Sequence, residues 1–246
     1  MHRFFVSSGQ VADGRITIEG EDVNHIRNVL RLRAGEDFEA ADEEGRVYTC
    51  RILETFGESI VAEVLFSEMS GAELPNRITL YMGLPKYDKM ELVIQKAVEL
   101  GAFRIVPVRT RRTVVKLDEK KAAAKVARWQ SIAEAAAKQS KRALIPEVAQ
   151  VRDFPKSVAE ARAAGGRIVF PYECAEGIDR TRAVLGGIRP GEPVAVFIGP
   201  EGGFDPEEAA LAEANGAQIV TLGRRILRTE TAAITALGIL SYVLER

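Results

Sequence analysis

Two short glycine-bearing motifs near the end of the sequence hold the residues whose types and spacing could do chemistry. The first motif, residues 199–203, reads GPEGG, and the second motif, residues 222–232, reads LGRRILRTETA. Glycines let backbone N–H groups approach a ligand closely, and each motif adds charged side chains that could act on that ligand. The two motifs together predict a small-molecule site.

The charges beside the first motif argue against a phosphate ligand. Carboxylates are supplied there by Glu201, Asp205, Glu207 and Glu208. The spacing also matches neither G-x-G-x-x-G nor G-x-x-x-x-G-K-[ST], which disfavours a dinucleotide-dependent enzyme. A neutral or cationic ligand bound by backbone hydrogen bonds fits better. S-adenosylmethionine (SAM), which has a positive sulfonium and no phosphate, is such a ligand.

Both motifs also admit a purely structural interpretation. Asp205, Pro206 and Glu208 suit the N-cap, N1 and N3 positions of a helix, so the glycine pair could be only the turn before it. Residues 229–231 could likewise cap the last helix of the chain. Arg228 could form a structural ion pair. Spacing alone leaves these alternatives open.

The elements that must position the motifs alternate between strand and helix from residue 78 onward. Short apolar runs predict strands at 78–82, 104–108, 167–170, 194–198 and 217–222. Longer stretches predict helices at 89–100, 119–142 and 231–244. This alternation predicts an α/β fold with a mainly parallel sheet and helices on both faces. Because ligands bind at the carboxyl ends of such strands, we expect the two motifs to form walls of one pocket.

The first 70 residues are β-rich and predict a separate, smaller domain. Strands are expected at 15–19, 47–53 and 59–65, with a short helix over 22–30, which suggests a small barrel. A linker-like stretch follows at residues 67–76. We therefore expect one domain over residues 1–72 and a second over residues 73–246.

The net charge of −1 conceals a strongly basic segment. Residues 104–142 contain twelve Lys and Arg against three acidic residues, so this segment is +9 and the rest of the chain is −10. Such an excess favours a polyanionic partner, although a solvated lysine-rich helix face is the alternative. No apolar run approaches the roughly 20 residues that span a bilayer, and the first residues lack a signal-peptide pattern. We expect a cytoplasmic protein without a bound metal, with Cys50 and Cys174 both reduced and buried.

The motifs, in this order and context, resemble the SPOUT class of SAM-dependent RNA methyltransferases. The chain is more narrowly similar to the 16S ribosomal RNA uridine-N3 methyltransferase family (RsmE). Residues 3–5, 24–31, 96–101 and 134–142 contribute to this resemblance, which spans nearly the whole chain. It implies a PUA-like RNA-binding β-barrel, then a SPOUT domain with a C-terminal trefoil knot that binds SAM, in a homodimer acting on 16S rRNA, within the 30S subunit.

The resemblance also assigns roles to residues of this sequence. The catalytic candidates are Arg228, as a cation facing the charge that develops on uridine, and Glu201 and Glu230, as bases. The residues expected to line the SAM pocket are Gly199, Pro200, Glu201, Gly202, Gly203, Leu222, Gly223, Ile226, Leu227, Thr231 and Ala232. The residues expected to contact RNA are His25, Arg27, Arg31, Arg33, Arg109, Arg111, Arg112, Lys138 and Arg142.

Two alternatives to this function stay open. One is a SPOUT methyltransferase that acts on another RNA. The other is a non-catalytic RNA-binding protein of ribosome assembly, which would explain the basic segment but not the two motifs. Binding of SAM distinguishes the enzymes from the assembly protein.

Overall fold

A computed structural model describes residues 1–175 and 177–245, which divide into two compact units. The N-terminal unit comprises Met1–Glu73 and Ala137–Ile145, and the C-terminal unit comprises Leu74–Ala136 and the residues from Pro146 onward. No helix among the described residues is long and apolar enough to cross a membrane.

The N-terminal unit is built on one six-stranded sheet. Its strands are β1 (Arg3–Phe5), β2 (Val11–Ala12), β3 (Arg15–Glu19), β4 (Asp37–Ala41), β5 (Arg46–Phe56) and β6 (Ser59–Met69). Their order is β1-β4-β5-β6-β3-β2, with β1 parallel to β4 and the other pairs antiparallel. Helix α1 (Glu21–Asn24) continues as a π-helical turn (His25–Val29). The predicted strands 15–19, 47–53 and 59–65 are confirmed as parts of β3, β5 and β6.

A buried apolar cluster joins the sheet of the N-terminal unit to its helix. Alternate residues of β3, Ile16 and Ile18, are buried, as the period of two in a strand requires. They pack with Phe4, Phe38 and Ile26. The π-helical turn is thereby fixed against the sheet by Ile26, while its polar side chains stay exposed.

The C-terminal unit contains a parallel sheet of seven strands. These are β7 (Ile78–Gly83), β8 (Ala102–Arg109), β9 (Glu147–Val148), β10 (Arg152–Asp153), β11 (Arg167–Pro171), β12 (Val194–Ile198) and β13 (Gln218–Val220). The order is β10-β8-β7-β12-β11-β13, with β9 also paired to β8. All five residues of the central strand β12 are buried, as expected where both faces of a parallel sheet are covered.

Within the described residues, six helices follow the strands of this sheet. They are α2 (Lys89–Glu99), α3 (Glu119–Gln139), α4 (Phe154–Ala164), α5 (Ile178–Gly186), α6 (Pro206–Ala214) and α7 (Thr229–Leu244). Helix α6 begins with the expected capping box, in which the Asp205 side chain accepts from the Glu207 N–H and the Glu208 carboxylate accepts from the Asp205 N–H. The predicted α/β class with a mainly parallel sheet is confirmed.

An aromatic cluster supports the sheet beside the first motif. Tyr81 of β7 stacks on Phe197 of β12 with ring centroids 4.4 Å apart. Phe204, which follows the first motif, lies 4.4 Å from Phe170 of β11 and 5.4 Å from Phe154 of α4. These buried rings hold the end of the first motif against two strands.

The structure differs from four of the predictions made from the sequence. Helix α3 ends at Gln139 rather than at residue 142, because Lys141 adopts a left-handed conformation (φ +57°) and the Arg142 N–H bonds back to the Ala137 carbonyl. Of the predicted strand 217–222, only Gln218–Val220 forms a strand, β13. The last helix begins at Thr229 rather than at residue 231. Cys50 is buried, which raises the pKa of its thiol to about 12, whereas Cys174 is exposed.

Candidate functional site

Two adjoining cavities open at the carboxyl ends of β11, β12 and β13. The larger cavity has a volume of about 410 Å³ and the smaller about 140 Å³. The first motif lines the larger cavity with Gly199, Pro200, Glu201 and Gly203. The second motif lines one or both with Leu222, Gly223, Arg224, Arg225, Ile226, Leu227, Arg228 and Ala232. Both motifs thus meet at the sheet edge where α/β proteins bind ligands.

Close backbone packing fixes the first motif. A Cβ on Gly83, at the end of β7, would lie 2.6 Å from the Pro200 nitrogen. A Cβ on Gly199 would lie 3.1 Å from the Gly203 Cα. The first distance is shorter than side-chain carbons tolerate and the second is tighter than most of their contacts, so glycine at these positions lets the chain fold back on itself beside the cavity.

A buried hydroxyl links the first motif to the second. Thr229 is 5% exposed, and its Oγ1 donates to the Gly199 carbonyl at 2.5 Å. A pair of threonines supports the start of the second motif, because Thr181 Oγ1 donates to the Thr221 carbonyl and accepts from the Thr221 N–H. The sequence analysis did not assign these roles to Thr181, Thr221 and Thr229.

A three-residue ion network joins helix α2 to both motifs. Lys89 Nζ lies 3.1 Å from Glu201 Oε1 and 3.3 Å from Glu230 Oε2. The Lys86 N–H also donates to Glu201 Oε1 at 3.0 Å. Each carboxylate therefore reaches the same ammonium group from a different motif.

This network shifts the pKa values of Glu201 and Lys89. Burial raises the pKa of the Glu201 carboxyl, but hydrogen bonds from its own N–H, the Lys86 N–H and Lys89 outweigh burial and hold the pKa below its ordinary value. The hydrogen bond to Glu201 is the main cause that raises the pKa of the Lys89 ammonium. Glu201 is consequently an anion at neutral pH, and its lowered pKa makes it a weak proton acceptor.

Arg228 differs from these paired groups. It is exposed and lines the larger cavity. Within the part of the chain that the structure describes, its guanidinium forms no hydrogen bond or ion pair. The structural ion pair considered for Arg228 is not found there, and its donors stay available to a ligand.

The carboxylates near the first motif are paired rather than free. Arg111 Nη1 lies 2.5 Å from Glu207 Oε2 and 3.4 Å from Asp205 Oδ1. Arg112 lies 3.7 Å from Asp205, and the Arg111 N–H donates to Glu208. These arginines largely neutralise the repulsion that was expected against a phosphate. The sequence alone did not show that they pair with these carboxylates. A dinucleotide is still disfavoured by the spacing of the first motif, which does not match G-x-G-x-x-G.

Comparison with known proteins identifies the family. A family model described as an RNA methyltransferase domain matches residues 72–241, and one described as an RNA methyltransferase PUA domain matches residues 18–65. Ribosomal RNA small subunit methyltransferase E of Bacillus subtilis is 35% identical, covering 100% of this chain and 98% of the relative. This chain belongs to the ribosomal RNA small subunit methyltransferase E family. The resemblance in the sequence and the PUA-like N-terminal domain are thereby confirmed.

Further members and solved structures agree with this assignment. The methyltransferase E of Synechocystis is 31% identical over 99% of this chain and 78% of its own length. The crystal structure of methyltransferase E from Neisseria gonorrhoeae, bound to SAM, superposes with a TM-score of 0.82 at 32% identity. It covers 99% of this chain and 98% of that chain. The C-terminal unit thus has the SPOUT methyltransferase fold of its relatives.

Most but not all of the predicted pocket residues line the cavities. Gly202 does not line them; its carbonyl accepts from Arg112 Nη1 at 2.9 Å. Thr231 is exposed on α7 and also lies outside the lining. Both cavities are also lined by three residues that were not predicted from the sequence: Pro171, Tyr172 and Glu173. Pro171 ends β11, and Tyr172 and Glu173 follow it. The predicted strand was therefore the signal that could have placed these residues at the same sheet edge.

Three predicted RNA-contact residues share one open depression of the N-terminal unit. Arg27, Arg31 and Arg33 line it together with Asn28 and Thr55, and its volume is about 670 Å³. Arg27 Nη1 donates to the Gly57 carbonyl at 2.7 Å, which holds that guanidinium at the rim. His25 is exposed on the same π-helical turn, and its ring edge meets the Phe4 ring with centroids 6.1 Å apart.

The other predicted RNA contacts are paired with carboxylates. Arg109 bonds Asp153 at 2.8 Å, and Lys138 bonds Asp22 at 3.0 Å. Arg142 is only 3% exposed and bonds Glu73, so its guanidinium is held inside the protein. Among the described residues, no group of three or more His, Cys, Asp or Glu side chains could hold a metal ion.

Proposed function

We propose that this chain methylates N3 of a uridine in 16S ribosomal RNA, with SAM as methyl donor. The observation that carries the proposal is the full-length match to ribosomal RNA small subunit methyltransferase E. The paired cavities at the sheet edge supply the place for the reaction. SAM as cofactor and the methyltransferase class are confirmed by the family model and by relatives solved with SAM.

The residues of the larger cavity fit SAM. Its volume lies within the range of small-molecule pockets, and glycine backbone forms part of its wall. Ile198, Leu227 and Ala232 offer apolar surface for the adenosine, and the carboxylates of Glu173 and Glu201 favour a sulfonium. When bound, SAM supplies an electrophilic methyl carbon to the target nitrogen.

Arg228 has the main catalytic role in this proposal. Uridine N3 must lose its proton to become a nucleophile, which places negative charge on O2 and O4 of the base. The guanidinium of Arg228, which forms no ion pair with the described residues, can donate to these oxygens and stabilise that charge. The proton leaves to solvent.

Glu201 and Glu230 have a positioning role in this proposal. Both share Lys89, and the pKa of Glu201 is lowered, so neither is arranged as a free base. Their bonds to Lys89 hold the two motifs at a fixed separation on either side of the cavity. Precise placement of this kind contributes to rate by aligning the reacting atoms.

The remaining features of the proposal concern the whole enzyme. We propose that residues 1–72 contribute RNA binding and residues 73–246 the methyl transfer. The C-terminal motifs are proposed to belong to a trefoil knot, the active form to be a homodimer, and the substrate to be 16S rRNA assembled in the 30S subunit. A ribosomal substrate accounts for the expected cytoplasmic location.

Nucleoside analysis tests this function. Small subunits that lack 3-methyluridine are incubated with the protein and SAM, and their digested RNA is analysed by mass spectrometry against 3-methyluridine and 2′-O-methyluridine standards. We expect 3-methyluridine only. The 2′-O product would move the activity to another SPOUT reaction, and no product, without SAM binding, would leave an RNA-binding assembly protein.

A further inference from the structure

Three arginines of the second motif form no ion pair with the described residues. Arg224, Arg225 and Arg228 are all exposed, and they lie within five residues of one another. In the ranges 1–175 and 177–245, no hydrogen bond or ion pair engages any of the three guanidinium groups. Arg228 has been assigned to the uridine base above, which leaves Arg224 and Arg225 without a role.

These arginines contrast with the basic segment at residues 104–142. There Arg109, Arg111, Arg112 and Arg128 each pair with a carboxylate. A paired cation must give up its partner before it can neutralise a phosphate, whereas a free cation releases only counterions. These four paired arginines are therefore poorer candidates for anion contacts near the site than the unpaired arginines of the second motif.

The position of Arg224 and Arg225 decides which anion they can meet. Both line the smaller cavity, in the same wall as Ile226 and Leu227, and Ile226 is 88% exposed at the tip of the motif. Glu173 is the acidic residue of that lining, and it forms no ion pair with the described residues. An anion bound by these arginines would lie beside the place where the methyl group is transferred.

We propose that Arg224 and Arg225 bind the phosphates that flank the target nucleotide and thereby present its base to the cavity. A guanidinium offers a planar fork of donors that matches a phosphate, and phosphate contacts fix the register of a nucleic acid without reading its sequence. This inference rests on the function proposed above and names the part of the site that holds the RNA strand.

The variant Arg224→Gln/Arg225→Gln tests the proposal. Loss of two phosphate contacts should reduce the slope of log affinity against log salt by about 1.4, and weaken binding of unmodified 30S subunits about 10-fold at physiological salt. KM for the subunit should rise while kcat at saturating subunit stays within about twofold. The Arg224→Lys/Arg225→Lys variant keeps the charges and should restore the salt slope.

Controls separate this role from others. Arg162→Gln/Arg189→Gln removes two exposed positive charges, at the end of α4 and before β12, and should leave binding unchanged. An unchanged salt slope in the Arg224/Arg225 variant would overturn the proposal. Equal weakening of SAM binding, measured by calorimetry, would assign the arginines to the cofactor carboxylate instead. A changed molecular mass by light scattering would assign them to a subunit contact. Wild-type protein that makes no 3-methyluridine would refute the proposed function separately.

Discussion

At the scale of single residues, the site is defined by which charges are paired and which are free. Lys89 holds Glu201 and Glu230, and Arg111 holds Glu207 and Asp205, whereas Arg228 remains available at the cavity. Reactivity in this account follows from that division. We propose that the paired groups give the cavity its shape and that the unpaired cation, Arg228, acts on the substrate.

The first residue-scale prediction concerns Arg228. Replacement by Gln should lower kcat by about 100-fold or more, because the charge on the uridine oxygens loses its main donor. The affinity for SAM should change less than twofold, since backbone groups and apolar side chains dominate that contact. Single-turnover methylation with tritiated SAM measures the rate, and calorimetry measures the affinity. Full turnover in a folded, SAM-binding Arg228→Gln variant would remove Arg228 from the mechanism.

The second residue-scale prediction concerns Lys89 and pH. The folded-state pKa of Glu201 is lowered, so its network stabilises the protein above the ordinary carboxyl pKa of about 4.5, and this stabilisation is lost as pH falls through the lower folded-state value. Lys89→Met should therefore lower the thermal midpoint at pH 7 and make little difference at strongly acidic pH. We also expect a 10- to 100-fold loss of kcat/KM from displaced motifs. Lys89→Arg should recover most of the lost kcat/KM. A difference in thermal midpoint between Lys89→Met and wild type that is equal at all pH values would contradict this role of Lys89.

At the scale of elements, the cavity depends on contacts between the two motifs and the strands beneath them. Thr229→Val removes the hydroxyl that donates to the Gly199 carbonyl. The free energy of unfolding should fall by about 1 kcal/mol, and by more if no water hydrogen-bonds to the Gly199 carbonyl in the variant. Thr229→Ser, which keeps the hydroxyl, should stay close to wild type. Urea unfolding measures the difference, and equal stability of the Val and Ser variants would show that this bond contributes nothing.

The close packing of β7 against the first motif gives another element-scale prediction. Gly83→Ala places a Cβ about 2.6 Å from the Pro200 nitrogen and should destabilise the protein by about 1–3 kcal/mol while weakening SAM binding. Gly238→Ala on α7 is the matched control, because no atom lies within 4 Å of its added Cβ. It should stabilise the helix by up to about 1 kcal/mol. Equal effects of the two substitutions would argue against a packed motif.

The elements themselves were largely predictable from the sequence, and the reasons are local. Neighbouring residues are enough to predict the alternation in β3, the fully apolar strand β12 and the capping box of α6. The end of α3 was misplaced because Lys141, rather than a glycine, takes the left-handed position. The ion pairs of the site could not be predicted, since Lys89 and Glu230 are 141 positions apart. The glycine motifs indicated two walls of the pocket, and the third wall, residues 171–173, carries no such signature.

At the scale of the whole molecule, we propose that the N-terminal unit contributes to binding RNA and that the C-terminal unit transfers the methyl group. The N-terminal unit gathers Arg27, Arg31 and Arg33 in one depression, and the C-terminal unit holds the cavities. Replacing these three arginines by Gln should reduce the salt slope of RNA binding by about 2. The affinity for SAM should stay unchanged. A loss of SAM affinity in this variant would contradict the division of roles.

One measurement tests the central claim most directly. Unmodified 30S subunits, SAM and the wild-type protein are combined, and the 16S rRNA is then read by primer extension, because a methyl group on N3 blocks base pairing and stops the polymerase. We predict one new stop, at a single uridine, with close to one methyl group per subunit. Methylation without a stop, or stops at many uridines, would contradict a site built to methylate N3 of one nucleotide.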